Sequence, residues 1–377
     1  MSEPRPAATV AILRDVSGGP EVLLTHRPPT MAFGPGLHVF PGGALDPADE
    51  DARLLERLRP PLDGDPAGVH GPAFVVAAIR EAWEEAGILL GSPAGTRGPV
   101  DGSWRFPSAA EAGTTPFLDL VVAHDVELRG DWLVPLSRWV TPPVVERRYD
   151  ARFFAAWLPE GAELVFDERE VVGHEWIRPA AALAAMRAGR IELWMPTSAT
   201  LQSLLAVTSV DDLRALAPAG PSSPPRAAAV AASGGRAVEI MTAGAGGVPG
   251  AAGRTWVVGH GDPVVVDPGD PSDEAAEAIL AAIASLGGRA RAILVTSADP
   301  VVAAGGEGMA LRLEVPLLGP FDAERLLAAD VSQVEVDDLV AAGDVTLRVV
   351  RAPDGRADAV GYRIEGTDIV LGAGRPA

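Results

Sequence analysis

The chain has 377 residues, room for two domains of ordinary size, each with its own core. Its 47% hydrophobic and 22% charged content excludes a disordered chain. Its formal net charge of −20 excludes nucleic acid and anionic membrane surfaces as preferred partners. There is no cysteine, hence no disulfide or thiolate chemistry, and all 31 basic residues are arginines. So acidic a chain needs divalent cations or local arginines to receive a phosphorylated compound. The opening MSEPRPAATV has no basic stretch leading into an apolar segment, so no signal peptide is expected. No run reaches the length of a membrane span. The expected location is cytoplasmic.

In chain order, AATVAILRD and EVLLTHR read as strands joined by a Gly-Gly-Pro turn, and GLHVFPGGALD as a short strand ending in Pro-Gly-Gly. Residues 73–90 read as a helix. Helices near 116–126, strands near 131–140, 151–158 and 171–177, and helices near 178–188 and 197–206 follow. The stretch 217–236, rich in Pro, Ser, Gly and Ala, reads as a linker between a domain at 1–216 and another at 237–377. After it, RTWVVGHGDPVVVDPGD reads as two strands, SDEAAEAILAAIASLGG as a helix stopped by Gly-Gly, and RAILVTSADP as a buried strand. Another helix and strands at 345–350, 359–364 and 368–371 complete an α/β pattern.

The helix AAIREAWEEAGILL, residues 77–90, carries Glu81, Glu84 and Glu85 on one face, three and four residues apart. Such like-charge pairs destabilise a helix by roughly 0.2–0.5 kcal/mol each. A solvated acidic stripe is the simplest explanation of an isolated cluster. Clustered carboxylates also suit hard divalent cations, and the Gly42–Gly43 turn lets backbone approach an ion closely. Arg80, four before Glu84, can brace it.

The pattern PGGALDPAD … REAWEEAGI resembles the Nudix box, G-x5-E-x7-R-E-U-x-E-E-x-G-U. The match runs through Gly43, Arg80, Glu81, Glu84, Glu85, Gly87 and Ile88, with Asp49 where the family has Glu. Thirty residues separate Asp49 from Arg80 instead of seven, and the insertion DARLLERLRPPLDGDPAGVHG reads as a short helix and a loop. FGPGLHVFPGG upstream and WVTPPVVERRYDARFFAAWLPEG, EVVGHEWIRPAAAL and GRIELWMPTSATLQSL downstream resemble the branch containing coenzyme A and acyl-coenzyme A diphosphatases. This resemblance, over about residues 5–206, implies an α/β/α sandwich with a mixed sheet. It also implies Mg²⁺- or Mn²⁺-dependent hydrolysis of a nucleoside diphosphate derivative, with coenzyme A or an acyl derivative favoured. Glu84 and Glu85 are then metal ligands, Glu81 a ligand or base, the Gly42 carbonyl a further ligand, and Arg80 an orienting group. Glu170, with Glu146 as alternative, is the candidate later carboxylate. Arg147 and Arg148 are candidates for phosphate recognition, with ion pairing to the chain's acids the competing reading. His38 reads as a packed strand histidine and Phe153 and Phe154 as core.

The second half resembles the metallo-β-lactamase αββα fold without its metals. Where that family has T-H-x-H-x-D-H, this chain has Thr296, Ser297, Ala298, Asp299, Pro300, Val301 and Val302. Gly355 and Ala373 stand at the later histidine and aspartate positions. The sole histidine after the linker is His260, which cannot build a zinc site alone. Asp267 is explained as a turn residue. This half is expected to be non-catalytic, with a structural, dimer-forming or ligand-binding role. A second copy of the chain is therefore a candidate partner besides the nucleotide substrate. The competing reading of the first half is a nucleotide-sensing protein that binds without turnover. The intact Arg80, Glu81, Glu84, Glu85 set argues for chemistry.

Overall fold

A computed structural model describes residues 3–28, 36–60, 71–96, 104–141, 148–159, 162, 164–165, 173–217, 226–229, 236–242, 253–269, 273–297, 300–320, 331–353, 355–356 and 359–372. The chain forms two compact units, Ser2–Thr141 with Arg147–Pro221, and Ser222–Ala377.

The first unit is built on a mixed sheet. Strand β1 (Arg5–Arg14) is its centre, and β2 (Glu21–His26), β3 (His38–Val39) and β4 (Gly42–Ala44) follow. After a 3₁₀ turn at Pro47–Glu50 come helices α1 (Ala52–Leu55) and α2 (Pro72–Ala86). Strands β5 (Gly91–Pro93) and β6 (Val126–Leu128) pair with each other and flank α3 (Ala109–Ala112) and α4 (Phe117–Ala123). Strands β7 (Leu133–Val140), β8 (Tyr149–Trp157) and β9 (Gly173–Ile177) return to the main sheet. Helices α5 (Pro179–Arg187), α6 (Met195–Ser203) and α7 (Val210–Ala215) end the unit.

The strand order is β3-β2-β1-β8-β7, with β4 paired to β1 and β9 to β2. β1 and β8 run parallel from Arg5 opposite Tyr149 to Leu13 opposite Trp157. Their near-continuous apolar sequence is what a strand buried on both faces requires. Ala8, Val10, Ile12, Phe154 and Ala156 meet Val75, Val76, Ile79 and Ala82 of α2. Phe153 and Phe154, on opposite faces, are both buried, as core residues should be. Trp83, at the free position of the glutamate motif, is buried in the same core. Its Nε1 donates to Pro107 O at 2.8 Å, and Phe117 lies 5.2 Å from its ring. Trp83 thus ties α4 and the segment leading into α3 to α2.

The second unit has two sheets. The larger runs β10 (Arg226–Ala229), β11 (Ala237–Thr242), β12 (Gly253–Val258), β13 (Val264–Val266), β14 (Ala292–Leu294), β15 (Leu317–Gly319) and β16 (Val331–Gln333) in sequential order. The smaller runs β17 (Leu339–Ala342), β18 (Val345–Arg351), β19 (Val360–Ile364) and β20 (Val370–Leu371). Trp256, Val258, Val266 and Leu294 pack against Leu347, Val349 and Tyr362 between the sheets. On the other face, Val257, Val265 and Ile293 pack against α8 (Asp273–Ser285) and α9 (Pro300–Leu313). The layers are therefore helix, sheet, sheet; among the described residues no helix covers the smaller sheet. A second difference from the sequence reading lies at 217–236. Within that stretch β10 pairs antiparallel with β11, Arg226 opposite Met241 through Ala229 opposite Val238. Backbone pairing on a sheet edge needs no apolar alternation, so an Ala-rich strand carries the composition of a linker.

Candidate active site

Helix α2 starts with Pro72 at its first turn and ends at Gly87, whose φ of 71° is left-handed. Gly87 N donates to Trp83 O at 3.0 Å and Ile88 N to Ala82 O at 3.1 Å, while Ile88 is fully buried. These two positions set the stop and the exit direction of the helix.

Arg80 is the organising charge. Its side chain is 10% exposed, and all five of its N–H groups are engaged. Nε donates to Asp49 Oδ1 and Nη2 to Asp49 Oδ2, both at 2.9 Å. Nη1 donates to Glu81 Oε1 at 2.8 Å and Glu84 Oε2 at 2.7 Å, and Nη2 also to Ala44 O at 3.1 Å. Burial alone would depress the pKa of Arg80. The hydrogen bonds to Asp49 and the charges of Glu81, Asp49 and Glu84 more than reverse this, so the guanidinium stays charged.

Asp49 is fully buried although the insertion separates it from α2 in sequence. Asp46 caps the 3₁₀ turn: its Oδ1 accepts from Ala48 N at 2.8 Å, and Asp49 Oδ2 accepts from Asp46 N at 2.9 Å. That turn fixes Asp49 before the chain departs into α1, and the insertion closes back at Pro72. The interrupted motif is contiguous in space.

The two glycines fit this arrangement for different reasons. A Cβ on Gly43 would fall 2.5 Å from Glu81 Oε1, and one on Gly42 would fall 2.6 Å from Ala8 O. Gly42 N also donates to Glu85 Oε2 at 3.2 Å. Glu81 is buried, whereas the Glu84 side chain is 39% exposed. These are hard oxygen donors beside backbone with no side chain in the way, which suits Mg²⁺ or Mn²⁺ rather than a thiophilic metal. Among the described residues no three His, Asp or Glu side chains already converge as a ligand set. The acids are instead held on Arg80 and the Gly42 amide.

Arg148 sits just before β8, and its Nε donates to Thr141 O at 2.9 Å. Arg147, Glu146 and Glu170 lie outside the described residues, as do Ala298, Asp299 and Ala373 of the second unit. His38 is half-buried and stacked on His26 with ring centroids 4.5 Å apart; burial, and then the neighbouring His26, hold its pKa below the ordinary histidine value. The stack was not legible in sequence, because His26 and His38 become opposite only through the β2–β3 register. Also missed was Arg152, buried on β8 against Asp150 at 3.0 Å and the Phe74 ring.

In the second unit Asp267 is buried with φ 47°, and accepts from Thr296 N at 2.8 Å and Thr296 Oγ1 at 2.7 Å. Burial pushes its pKa up to about 6 against the opposing pull of those bonds. Ser297 is buried and bridges to Ala359, and Gly355 has φ 76°.

Residues 65–202 match the family model described as the NUDT19 Nudix domain. The first unit carries a stretch that matches a Nudix domain. Across this Nudix domain the chain is similar to acyl-coenzyme A diphosphatase NUDT19 of Homo sapiens, 32% identical over 244 residues, covering 52% of this chain and 63% of the human one. The Gallus gallus protein of that name is 31% identical over 247 residues, covering 51% and 63%. The chain thus spans less than two thirds of the length of these curated relatives. Among solved structures, a NUDIX hydrolase from Alicyclobacillus acidocaldarius is 30% identical, with 59% of this chain and 100% of that one covered and a TM-score of 0.49. No helix of the described residues is long and apolar enough to cross a membrane.

Proposed function

We propose that the protein hydrolyses a diphosphate bond in a nucleoside diphosphate derivative, with coenzyme A or an acyl-coenzyme A as the favoured substrate. The observation that carries this is the buried Asp49–Arg80 pair, which holds Glu81 and Glu84 beside Gly43 despite the insertion. A protein that only sensed nucleotides would not need so costly a buried network to aim carboxylates.

Glu81, Glu84 and Glu85 would hold Mg²⁺ or Mn²⁺, with the Gly42 carbonyl as a further ligand. Such an ion supplies charge neutralisation and a more acidic bound water. The remaining work belongs to the chain. Arg80 fixes the direction of Glu81 and Glu84. Glu81, buried, acts either as such a metal ligand or as the carboxylate that receives a proton from the attacking water. Glu84, more exposed, and Glu85, on the Gly42 amide, line the approach. Glu170 keeps the role of a later ligand, and Arg147 and Arg148 that of phosphate contacts. The second unit is proposed as a metallo-β-lactamase-like domain without catalytic metals, and a homodimer as the assembly it serves. The Asp267–Thr296 contact at the end of β14 supports that fold reading, since it gives the turn residue a bonded place without a metal.

Hydrolysis of coenzyme A, acyl-coenzyme A, ADP-ribose and NADH, with Mg²⁺ or Mn²⁺, tests the proposal beside Glu84→Gln and Glu85→Gln. Loss of at least about 100-fold in kcat with either variant is expected if these groups act on the transition state. Absence of cleavage in the whole panel would favour the sensing role, and activity surviving both substitutions would refute the site.

A further inference from the structure

His26 and His38 have no place in the chemistry above, yet they stand one short segment away from it. Strand β3 leads through Phe40 and Pro41 into the Gly42–Gly43 turn. Its ties are to β2 and to the segment before α6. His38 is opposite His26 and Val39 is opposite Thr25, whose Oγ1 donates to Val39 O at 3.3 Å. Arg27 N donates to Leu37 O at 3.0 Å, and His38 N to Glu192 O at 2.9 Å. Between the side chains the tie is the imidazole stack, with ring centroids 4.5 Å apart and planes 16° apart. Nε2 of His26 lies 3.1 Å from Gly36 O, an acceptor, and so donates to it. His38 Nδ1 is buried with no hydrogen-bond partner. A proton added there would leave a buried N–H without an acceptor and a charge against a second imidazole.

Among the described residues, charged groups reach the stack from β9, β2 and the segment before α6. On β9, Glu175 is opposite Leu24, which shares a strand face with His26, and its charge favours a protonated His38. His174 is opposite Thr25 and so lies on the other face, where alternation also places Arg27. Before α6, Glu192 meets the His38 backbone. Along the chain itself, His38 is the only ionisable residue between Arg27 and Asp46. Burial, and then His26, outweigh the opposing pull of Glu175 and of the Glu192 backbone, so His38 is uncharged at neutral pH.

The path from the stack to the carboxylates is short and stiff. Phe40 is buried, the Pro41 ring fixes its own φ, and Pro41 O accepts from Val10 N at 2.9 Å. Next comes Gly42, whose amide donates to Glu85 Oε2 at 3.2 Å, and then Gly43, packed on Glu81. We propose that His26 and His38 are positioning residues: their uncharged stack seats the Gly42–Gly43 turn against α2, and protonation of the pair unseats it. Two imidazolium rings face to face repel, β3 lifts from β2, and the Gly42 amide leaves Glu85. The inference rests on the diphosphatase reading for its kinetic arm, but not for its exchange arm.

The exchange arm follows the Gly42 amide by NMR hydrogen exchange in unreacted, metal-free protein, beside the ring signals of His26 and His38. Protection of Gly42, corrected for the intrinsic pH dependence of exchange, should fall about tenfold or more between about pH 8 and about pH 5.5, in step with the rings. Constant protection while both rings titrate would overturn the proposal in the wild type alone. His38→Phe keeps a flat ring that takes no proton, and His26→Phe does the same from β2. Either should hold the protection constant, and His38→Arg should show the low-pH value at about pH 8. The kinetic arm takes the ratio of wild-type to His38→Phe rates, which cancels the pH dependence of the shared chemistry. That ratio should fall about tenfold from about pH 8 to about pH 5.5, in kcat rather than KM. A ratio that does not move with pH would overturn the positioning role and leave the hydrolase reading intact. Protection of Gly42 that follows the pair, without turnover of any substrate at any pH, would sustain the positioning role and sink the hydrolase reading.

Discussion

Arg80 shows how a single residue makes a cluster of like charges tolerable. Three carboxylates around one guanidinium are tolerable because each is bonded and the cation is buried among them. Asp49 contributes two of the bonds and has no exposure of its own. Asp49→Ala would leave Arg80 buried with two N–H groups unpaired. We expect a loss of about 3 kcal/mol in urea-unfolding stability and a fall in kcat larger than the rise in KM, because Glu81 and Glu84 lose their aim. A variant as stable and active as wild type would show that the pair organises nothing. The presence of an acid six residues after Gly43 was legible in the motif. That it reaches Arg80 across the insertion was not, because the path of the intervening chain depends on the capped turn at Asp46–Asp49 and on the docking of α1 and α2.

At the scale of elements, α2 is the part most completely written in its sequence. Pro72 opens it, its apolar positions seat it on β1, and Gly87 closes it. Gly87 is constrained twice. Its φ is left-handed, and a Cβ there would lie 2.8 Å from Val165 N, whose amide donates to Ala86 O at 3.0 Å. Gly87→Ala should therefore cost more than the roughly 1 kcal/mol of a residue placed in the left-handed region, read as a lowered thermal midpoint. An unchanged midpoint would mean that the exit from α2 is loose. Strand β10 is the opposite case. Its residues carry no strand signal, and β11 alone supplies the pairing that makes them one.

At the scale of the whole molecule, each unit carries an ionisable group whose pKa burial shifts, a half-buried histidine in the first and a buried aspartate in the second. His38 in the first has its pKa lowered by burial and by His26. An unfolded histidine takes up a proton near its ordinary value, about 6.5, and the folded one resists. The stabilising contribution is present above that value and lost as pH falls through it. Asp267 in the second is pushed up to about 6 by burial. Its contribution is present below the ordinary aspartate value and lost as pH rises through about 6. Denaturation followed separately in the two units should therefore show the first weakening as pH falls below about 6.5 and the second weakening as pH rises from the ordinary aspartate value to about 6, with no further loss above it. His38→Phe should flatten the first response and Asp267→Asn the second. Responses unaffected by these substitutions would place the titrating groups elsewhere.

What the sequence determined by itself was local. It held the clustering of Glu81, Glu84 and Glu85 on one helix, the glycines before and after them, the ends of α2, and the alternation of strands and helices. Each of these depends on a residue's own conformational preference or on neighbours within a helical turn. The tertiary structure decided what distant segments do to one another. It brought Asp49 to Arg80, stacked His26 on His38, made a strand of the alanines at 226–229, and set Arg138, Asp150 and Arg152 in one line. Those outcomes follow from strand register and from where an insertion re-enters the fold. Register is chosen by the sum of many weak contacts across the sheet, so no short stretch of chain carries it.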